Sequence, residues 1–175
     1  REIRCEGESK GVIIDNTLSS YTTLKHAADS VSENEYLVIS PEKNTSNWTM
    51  TFKLDNTLAG TYDICVVVLP QTVYDPSKTD AKPCCFQAEI NYVDVDGSAQ
   101  TYVGTKEKFT TDPTRVDTII VAKDFQFPVC NYSQNNNKIS VKLKCSILAR
   151  DTPKYSREMF LDCIYLRPKK MKSEE

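Results

Sequence analysis

The stretch from Ser46 to Leu69 constrains the fold more than any other part of the chain, because it holds two apolar runs of different pattern. In the first run apolar and polar residues alternate, and the apolar set is Trp48, Met50, Phe52 and Leu54. Side chains on a strand point to opposite faces in turn, so this run predicts a strand with one buried face. The second run, Thr61 to Leu69, is apolar in both phases, which predicts a central strand covered on both faces. Asn56 and Gly60 favour a turn between the runs, so the two strands are predicted to form a hairpin.

The same signals recur along the rest of the chain. Lys138 to Ile147 alternates cleanly, and Met159 to Leu166 is apolar in both phases. Cys84 to Val95 predicts a long strand whose phase changes near its end, as a β-bulge would produce, and Asp96-Gly97 then predicts a hairpin turn. Only Leu18 to Val31 suggests a short helix. The pattern predicts an all-β sandwich of about eight or nine mostly antiparallel strands.

Length, charge and hydropathy limit the kinds of function that the chain can have. The 175 residues suit one β-sandwich domain over 1–175, which we expect to be part of a longer exported chain. The net charge of −2 gives no field that steers nucleic acid, so no nucleic-acid partner is expected. No apolar run is long enough to span a membrane. The opening REIRCEGESK has no methionine and no apolar signal region, which is typical of a processed product.

The seven cysteines leave two interpretations open. Their number is odd, so at least one thiol has no partner within the chain. Cys65, Cys145 and Cys163 lie in apolar runs, which favours buried and inert thiols. The alternative is a partial disulfide set in an exported protein. Cys84-Cys85 is an adjacent pair and lacks the C-x-x-C spacing of redox and zinc sites.

Catalytic signatures are missing from the sequence. His26 is the only histidine, which argues against a histidine-based triad and against the usual zinc sites. There is no G-x-S-x-G nucleophile motif and no glycine-rich phosphate loop. Paired carboxylates of glycoside hydrolases are defined by their separation in space, and no segment points to them. We therefore predict that the chain is not an enzyme.

Two stretches resemble the galactose-binding-domain-like jelly roll that many carbohydrate-binding modules use. The first runs from Asn47 to Phe52 and continues from Leu58 to Tyr62, and the second is the closing run from Phe160 to Leu166. Together they cover about a third of the chain and imply a jelly-roll β-sandwich. The phrases AGTYDI and LDCIYLRP also resemble β-sandwich domains on exported surface lipoproteins of Bacteroidetes. That resemblance implies the cell surface or periplasm of a Gram-negative bacterium, anchorage through a segment outside this sequence, and a place beside an outer-membrane glycan-uptake assembly.

The resemblance also implies a structural calcium ion. In the family a glutamate near the start and the aspartate of the closing strand hold it, and the matching residues are Glu6 and Asp162. Calcium takes six to eight oxygen ligands, so backbone carbonyls and water would complete the site. The alternative is that Asp162 is the solvent-facing residue of an edge strand. Asp94 and Asp96 imitate part of a calcium loop, but a hairpin turn explains them better.

Sugar binding requires an aromatic face together with planar polar groups. Trp48 is the only tryptophan, and its phase with Met50 and Phe52 predicts a core position. Better platforms are tyrosines in polar loops with Asp, Asn or Arg nearby, and these are Tyr74, Tyr132 and Tyr155. The other interpretation is that they are ordinary surface tyrosines.

Two functions from different classes remain. The first, favoured narrowly, is a non-catalytic structural or protein-interaction module of an exported bacterial cell-surface lipoprotein, accessory to glycan uptake. The alternative is a carbohydrate-binding module whose partner is a glycan. A large exposed apolar patch would support docking to a protein assembly. A cleft lined by tyrosine with convergent polar groups would support sugar binding.

Overall fold

In a computed structural model of the chain, the residues described are 2–4, 12–14, 20–26, 35–41, 47–54, 60–94, 96–102, 107–127 and 139–169. These residues form twelve strands, a short helix and one turn of 3-10 helix. The strands are β1 (Glu2–Arg4), β2 (Val12–Ile14), β3 (Ser20–His26), β4 (Glu35–Pro41), β5 (Thr49–Lys53), β6 (Gly60–Leu69), β7 (Cys85–Val93), β8 (Ala99–Tyr102), β9 (Phe109–Thr110), β10 (Asp117–Phe127), β11 (Ser140–Cys145) and β12 (Met159–Pro168). The helix α1 is Gln71–Tyr74, and the 3-10 turn is Ala149–Asp151. None of these helical segments is long and apolar enough to cross a bilayer.

The strands build two six-stranded antiparallel sheets. The first sheet has the order β10-β6-β12-β4-β3, with β1 also paired to β12. The second has the order β2-β5-β11-β7-β8, with β9 also paired to β7. The predicted all-β jelly-roll sandwich is confirmed. The strand number exceeds the predicted eight or nine for two reasons. β1, β2 and β9 span only two or three residues each, too few to show alternation. β3 lies in the stretch that suggested a helix.

The predicted hairpin between the first two apolar runs is wrong. β5 belongs to the second sheet and pairs with β2 and β11, whereas β6 belongs to the first sheet and lies between β10 and β12. The chain therefore crosses from one sheet to the other after β5. The prediction that β6 is central and covered on both faces is confirmed, since Ile64–Leu69 are buried in both phases.

The core lies between the sheets and contains inward-facing residues of β4, β5, β6, β7, β10, β11 and β12. Trp48 is fully buried, as predicted, together with Phe52, Phe86 and Phe127. Phe125 of β10 packs edge-to-face against three aromatic rings at centroid distances of 5.2–5.5 Å, and these belong to Tyr92, Tyr102 and Phe127. Such edge-to-face contacts suit the quadrupoles of the rings and fix β10 against β7 and β8.

Local irregularities differ from the prediction in two places. The phase change expected in β7 does not produce a bulge, because its pairings with β11 and β8 keep a continuous register and Val93 simply faces outward. Bulges occur instead in β10 and in β12, where the register shifts between Leu161 and Cys163. The helix suggested around Leu18 to Val31 is also wrong, since Ser20–His26 pairs with β4 as a strand.

The hairpin turn predicted at Asp96-Gly97 is confirmed and joins β7 to β8. Gly97 has φ of 81°, a left-handed conformation that glycine adopts without strain. The Asp94 carboxylate accepts hydrogen bonds from the backbone N–H groups of Ser98 at 2.9 Å and Asp96 at 3.0 Å. The Ser98 bond is the main reason why the pKa of Asp94 is lowered. These bonds explain the acidic VDVDG sequence as turn chemistry.

Five cysteines lie within the described residues, and each is a buried free thiol: Cys65, Cys84, Cys85, Cys145 and Cys163. Burial favours the neutral thiol over the thiolate. It raises the pKa of Cys145 to about 12 and also raises the pKa of Cys65, Cys84 and Cys85. The arrangement matches the inert-thiol interpretation for these positions, while Cys5 and Cys130 lie outside the described residues.

We expect these five thiols to react with an aromatic disulfide reagent at pH 8 only after the protein unfolds. The physical reason is that thiolate is the reactive species and burial suppresses both its formation and the access of the reagent. A variant with Cys5→Ser and Cys130→Ser isolates the five for counting. It should show no reaction when native and five equivalents in guanidinium, without any reductant. Fewer than five after unfolding would indicate a disulfide among them.

Candidate functional site

An open cleft of about 240 Å³ lies at the end of the sandwich where β4 and β6 end and β12 begins. Two connecting segments form its walls: residues 70–84 between β6 and β7, and residues 146–158 between β11 and β12. We call it the loop cleft. Its lining is mainly polar and consists of Pro41, Gln71, Lys78, Asp80, Lys82, Thr152, Tyr155, Ser156, Arg157 and Glu158.

Gln71 and Ser156 hold the two walls together. The Gln71 side chain donates from Nε2 to Ser156 Oγ at 2.9 Å and accepts at Oε1 from the backbone N–H of Lys82 at 2.9 Å. Ser156 also donates its backbone N–H to the Pro83 carbonyl at 2.9 Å, and its Oγ accepts from the Glu158 N–H at 3.1 Å. Each wall therefore fixes the other through hydrogen bonds within the chain.

A second network supports the 146–158 wall from behind. The buried indole of Trp48 donates from Nε1 to the Arg157 carbonyl at 2.6 Å. Arg157 is 5% exposed, and its guanidinium donates to Thr152 Oγ1 at 2.9 Å and to the Ile147 carbonyl at 3.3 Å. The Asn47 amide also bonds Ile147, from Nδ2 to the carbonyl at 3.2 Å. Two residues just before β5, Asn47 and the buried Trp48, thus position a wall of the cleft.

Charges of both signs line the loop cleft. Lys78 Nζ lies 3.4 Å from Asp80 Oδ1, and Glu158 Oε1 accepts from Ser40 Oγ at 3.4 Å. Tyr155 is half-buried, packs against the main core and also lines the cleft. One aromatic ring beside amide, carboxylate and guanidinium groups can bind a ligand that has an apolar face and several hydroxyl groups.

The three predicted ligand-binding tyrosines have different outcomes. Tyr155 lies in the loop cleft. Tyr74 is the last residue of α1, whose first residue, Gln71, lines the cleft. Tyr132 lies outside the described residues. A ligand-binding role for all three stays a prediction.

Sequence reasoning missed most of the cleft. Gln71, Lys82, Arg157 and Glu158 occur in segments whose polar composition indicates loops and nothing more. Gln71 and Ser156 are 85 positions apart, and no local pattern signals that their side chains meet. The polar clustering around Tyr155 was the one available signal.

The predicted calcium ligands remain untested. Glu6 lies outside the described residues. Asp162 is 6% exposed and lies in β12, between β6 and β4, so the alternative of a solvent-facing residue on an edge strand is wrong. Across the described part of the chain, no group of three or more His, Cys, Asp or Glu side chains is arranged to hold a metal ion. A site that includes Glu6 stays a prediction.

Comparison with known proteins connects the fold to carbohydrate-binding modules. No protein-family profile and no curated sequence matches the chain. Among solved structures, the C-terminal family 22 module of a Clostridium thermocellum protein superposes with a TM-score of 0.53 at 13% identity, covering 96% of this chain and 91% of that one. A Paenibacillus barcinonensis family 22 xylan-binding domain gives 0.54 at 9% identity, covering 97% and 99%.

Two further solved structures give similar TM-scores. The Clostridium thermocellum family 11 module, solved with a β-1,3-1,4-mixed-linked tetrasaccharide, gives a TM-score of 0.52 at 13% identity, with 95% of each chain covered. A Paenibacillus xanthan lyase gives 0.56 at 17% identity, over 97% of this chain but only 13% of the lyase. At these identities the comparison concerns the fold. The expected resemblance to the jelly roll of carbohydrate-binding modules is confirmed at that level.

Proposed function

We propose that this chain is a non-catalytic carbohydrate-binding module that holds a glycan in the loop cleft. The observation that carries the proposal is the half-buried Tyr155 ring in a cleft whose other lining groups are mainly polar. An aromatic face shelters the C–H side of a sugar ring, while amides and charged groups bond its hydroxyls. The preformed walls reduce the ordering that binding requires.

The structural neighbours support the same ligand class. One is a xylan-binding domain, and another was solved with a mixed-linked tetrasaccharide. Those ligands belong to those proteins. Some neighbours are parts of enzymes, such as a Podospora anserina mannanase with a family 35 module. A binding role attached to a larger protein fits that pattern.

The protein-interaction module, favoured narrowly by the sequence, receives less support. Large exposed apolar side chains within the described residues are limited to Val116, Ile120 and Leu148, with exposures of 37–49%. Two of them lie on or just before β10 and one lies in the 146–158 segment. Docking surfaces of stable complexes bury a larger apolar centre than this set offers. These observations therefore favour the carbohydrate-binding module over the protein-interaction module.

The test is a glycan-array screen of the purified chain followed by calorimetry on the best ligand. We expect Tyr155→Ala to weaken the affinity at least about tenfold, because a stacked aromatic ring contributes on the order of 1.4 kcal/mol or more. Tyr155→Phe should keep most of the affinity, since it retains the ring. Lys154→Ala is the matched control, because Lys154 is the exposed neighbour in the same segment and does not line the cleft.

Unchanged affinity in Tyr155→Ala, with the fold intact by circular dichroism, would contradict the assignment to the loop cleft. If the chain binds no glycan on the array, the proposal that its ligand is a glycan is contradicted. The same array in the presence of a chelator addresses the predicted calcium ion at Glu6 and Asp162. Binding that disappears with chelator and returns with calcium would support that ion.

We further propose that the module is exported and works at the cell surface or in the periplasm of a Gram-negative bacterium, beside a glycan-uptake assembly. The sequence resemblance to surface lipoproteins of Bacteroidetes supports this location. Fractionation of cells that express the full-length protein tests it. Recovery with the outer membrane supports the proposal, and recovery only with the cytoplasm contradicts it.

A further inference from the structure

The outer face of four strands of the second sheet, β5, β11, β7 and β8, is almost wholly polar. The outward residues of β5, β11, β7 and β8 form this surface, which we call the cationic face, and its key members are Lys53, Lys142, Lys144, Glu89, Asn91 and Thr101. Except for Val93 and Ala99, the outward residues from Gln87 onward on β7 and along the other three strands carry polar groups. The face lies on the outside of the sandwich, away from the core-facing side chains of the same strands.

The net charge of this face is positive, whereas that of the whole chain is negative. The chain has a net charge of −2, yet the face has three lysines against one glutamate. Glu89 is shared, because its carboxylate accepts from Asn91 Nδ2 at 3.1 Å and lies 3.9 Å from Lys144 Nζ. Lys53 and Lys142 have no ion-pair partner in the part of the chain that the structure describes. Within the described residues, neither of these two ammonium groups is paired with a carboxylate.

Strand register places the three lysines in a row. Lys142 lies between Thr51 on β5 and Glu89 on β7, and Lys53 lies opposite Ser140, two residues before Lys142. Residues two apart on a strand are about 7 Å apart, and neighbouring strands about 5 Å. Lys53, Lys142 and Lys144 thus form a bent row of cations that spans two neighbouring strands over about 15 Å.

We propose that the cationic face is a second binding site, separate from the loop cleft, for a linear acidic polysaccharide with carboxylate or sulfate groups along its chain. A row of several lysines on one face attracts an extended polymer that carries repeated anions. Side chains that bond hydroxyls, such as Asn91 and Thr101, which bond each other at 2.8 Å, lie beside the row. A polysaccharide uses both kinds of group.

Other polyanions fit the face less well. Nucleic-acid-binding sheets present aromatic rings on which bases stack, and none lies among the outward residues of these four strands. Membrane-binding surfaces insert apolar side chains, and this face offers only Val93 and Ala99. A protein partner would need an apolar centre for its interface. A hydrated, charged sugar polymer requires none of these features.

The test measures the affinity of the chain for polygalacturonate, which has carboxylates, and for dextran sulfate, with neutral dextran as reference. We expect binding to at least one of the two polyanions and no binding to neutral dextran. Binding to polygalacturonate alone assigns carboxylates, and binding to dextran sulfate alone assigns sulfates. The affinity should fall with salt, since the ligand displaces bound counterions.

The double variant Lys53→Glu/Lys142→Glu should weaken polyanion binding by at least about tenfold and flatten its salt dependence. Lys123→Glu is the matched control, because Lys123 is an exposed lysine on β10 of the other sheet. It makes a similar type of change in net charge away from the face. Equal losses in Lys123→Glu, after allowance for one substitution instead of two, would show a general charge effect and overturn the proposal.

Two further results separate this site from the loop cleft and from non-specific binding. Tyr155→Ala should keep polyanion binding, and the double lysine variant should keep binding of any glycan held in the cleft. Loss of polyanion binding in Tyr155→Ala would place the polymer in the cleft and overturn a second site. Equal affinity for double-stranded DNA at matched charge would overturn the polysaccharide as the ligand.

Discussion

Trp48→Ala is expected to lower the free energy of unfolding by about 4 kcal/mol, the typical loss for a fully buried aromatic side chain. Trp48 is 0% exposed and lies in the main core beside β5. Its indole N–H also donates to the Arg157 carbonyl at 2.6 Å, and removing the indole leaves that carbonyl without this donor. Chemical denaturation followed by circular dichroism measures the change.

The hydrogen bond to Arg157 can be separated from the packing of the ring. Trp48→Phe keeps an aromatic ring and removes the donor, so we expect a smaller loss of about 2 kcal/mol. It should also weaken ligand binding in the loop cleft, because Arg157 and Ser156 form that wall. Phe52→Leu is the control, since Phe52 lies on β5, the strand that begins directly after Trp48, and is equally buried. Equal effects of Trp48→Phe and Phe52→Leu on binding would show that the hydrogen bond from Trp48 to Arg157 does not position the cleft.

Asp63→Asn is expected to lower the free energy of unfolding by about 2 kcal/mol at neutral pH. The Asp63 side chain is 0% exposed, and its Oδ2 lies 2.7 Å from Arg167 Nη2 and 3.2 Å from Lys169 Nζ. Its Oδ1 accepts the backbone N–H of Asp124 at 2.9 Å, at a residue held in the left-handed region with φ of 53°. The expected loss is below that of fully buried ion pairs, because the Arg167 side chain is 50% exposed.

The same carboxylate predicts a pH dependence of stability. The Arg167 hydrogen bond, followed by the Asp124 N–H and Lys169, holds the pKa of Asp63 well below its usual range. In the unfolded chain an aspartate titrates near pH 4, so the unfolded state binds this proton first as the pH falls. The stabilisation is therefore present above about pH 4 and is lost progressively below it. We expect the wild-type stability to fall more steeply between pH 5 and pH 2 than that of Asp63→Asn.

Parallel pH profiles for the two proteins would contradict this assignment. A double-mutant cycle with Arg167→Met tests the partner directly. If the two groups act as a pair, the double variant should lose less stability than the sum of the single variants. Simple additivity would mean that Asp63 acts mainly through the Asp124 N–H and Lys169.

Local patterns in the sequence were sufficient for the fold class and for the buried faces of several strands. Alternation identified β5 and β11, because burial of one face leaves a period-two pattern. The run that is apolar in both phases identified β6 as central, because burial of both faces leaves a continuous apolar run. The same phase argument placed Trp48 in the core. The turn at Asp96-Gly97 was predictable for a different reason, since left-handed backbone selects glycine locally.

Only the tertiary structure decided which strands pair and where a ligand can bind. β5 and β6 look like a hairpin in sequence, but they belong to opposite sheets, because backbone hydrogen bonds are the same for any partner strand and side-chain packing selects among them. The loop cleft depends on contacts such as Gln71 with Ser156, which join segments far apart in the chain. The row formed by Lys53 and Lys142 likewise exists only in the register of β5 with β11. Short-range composition determines faces and turns, whereas sites built from distant segments are determined by packing of the whole sandwich.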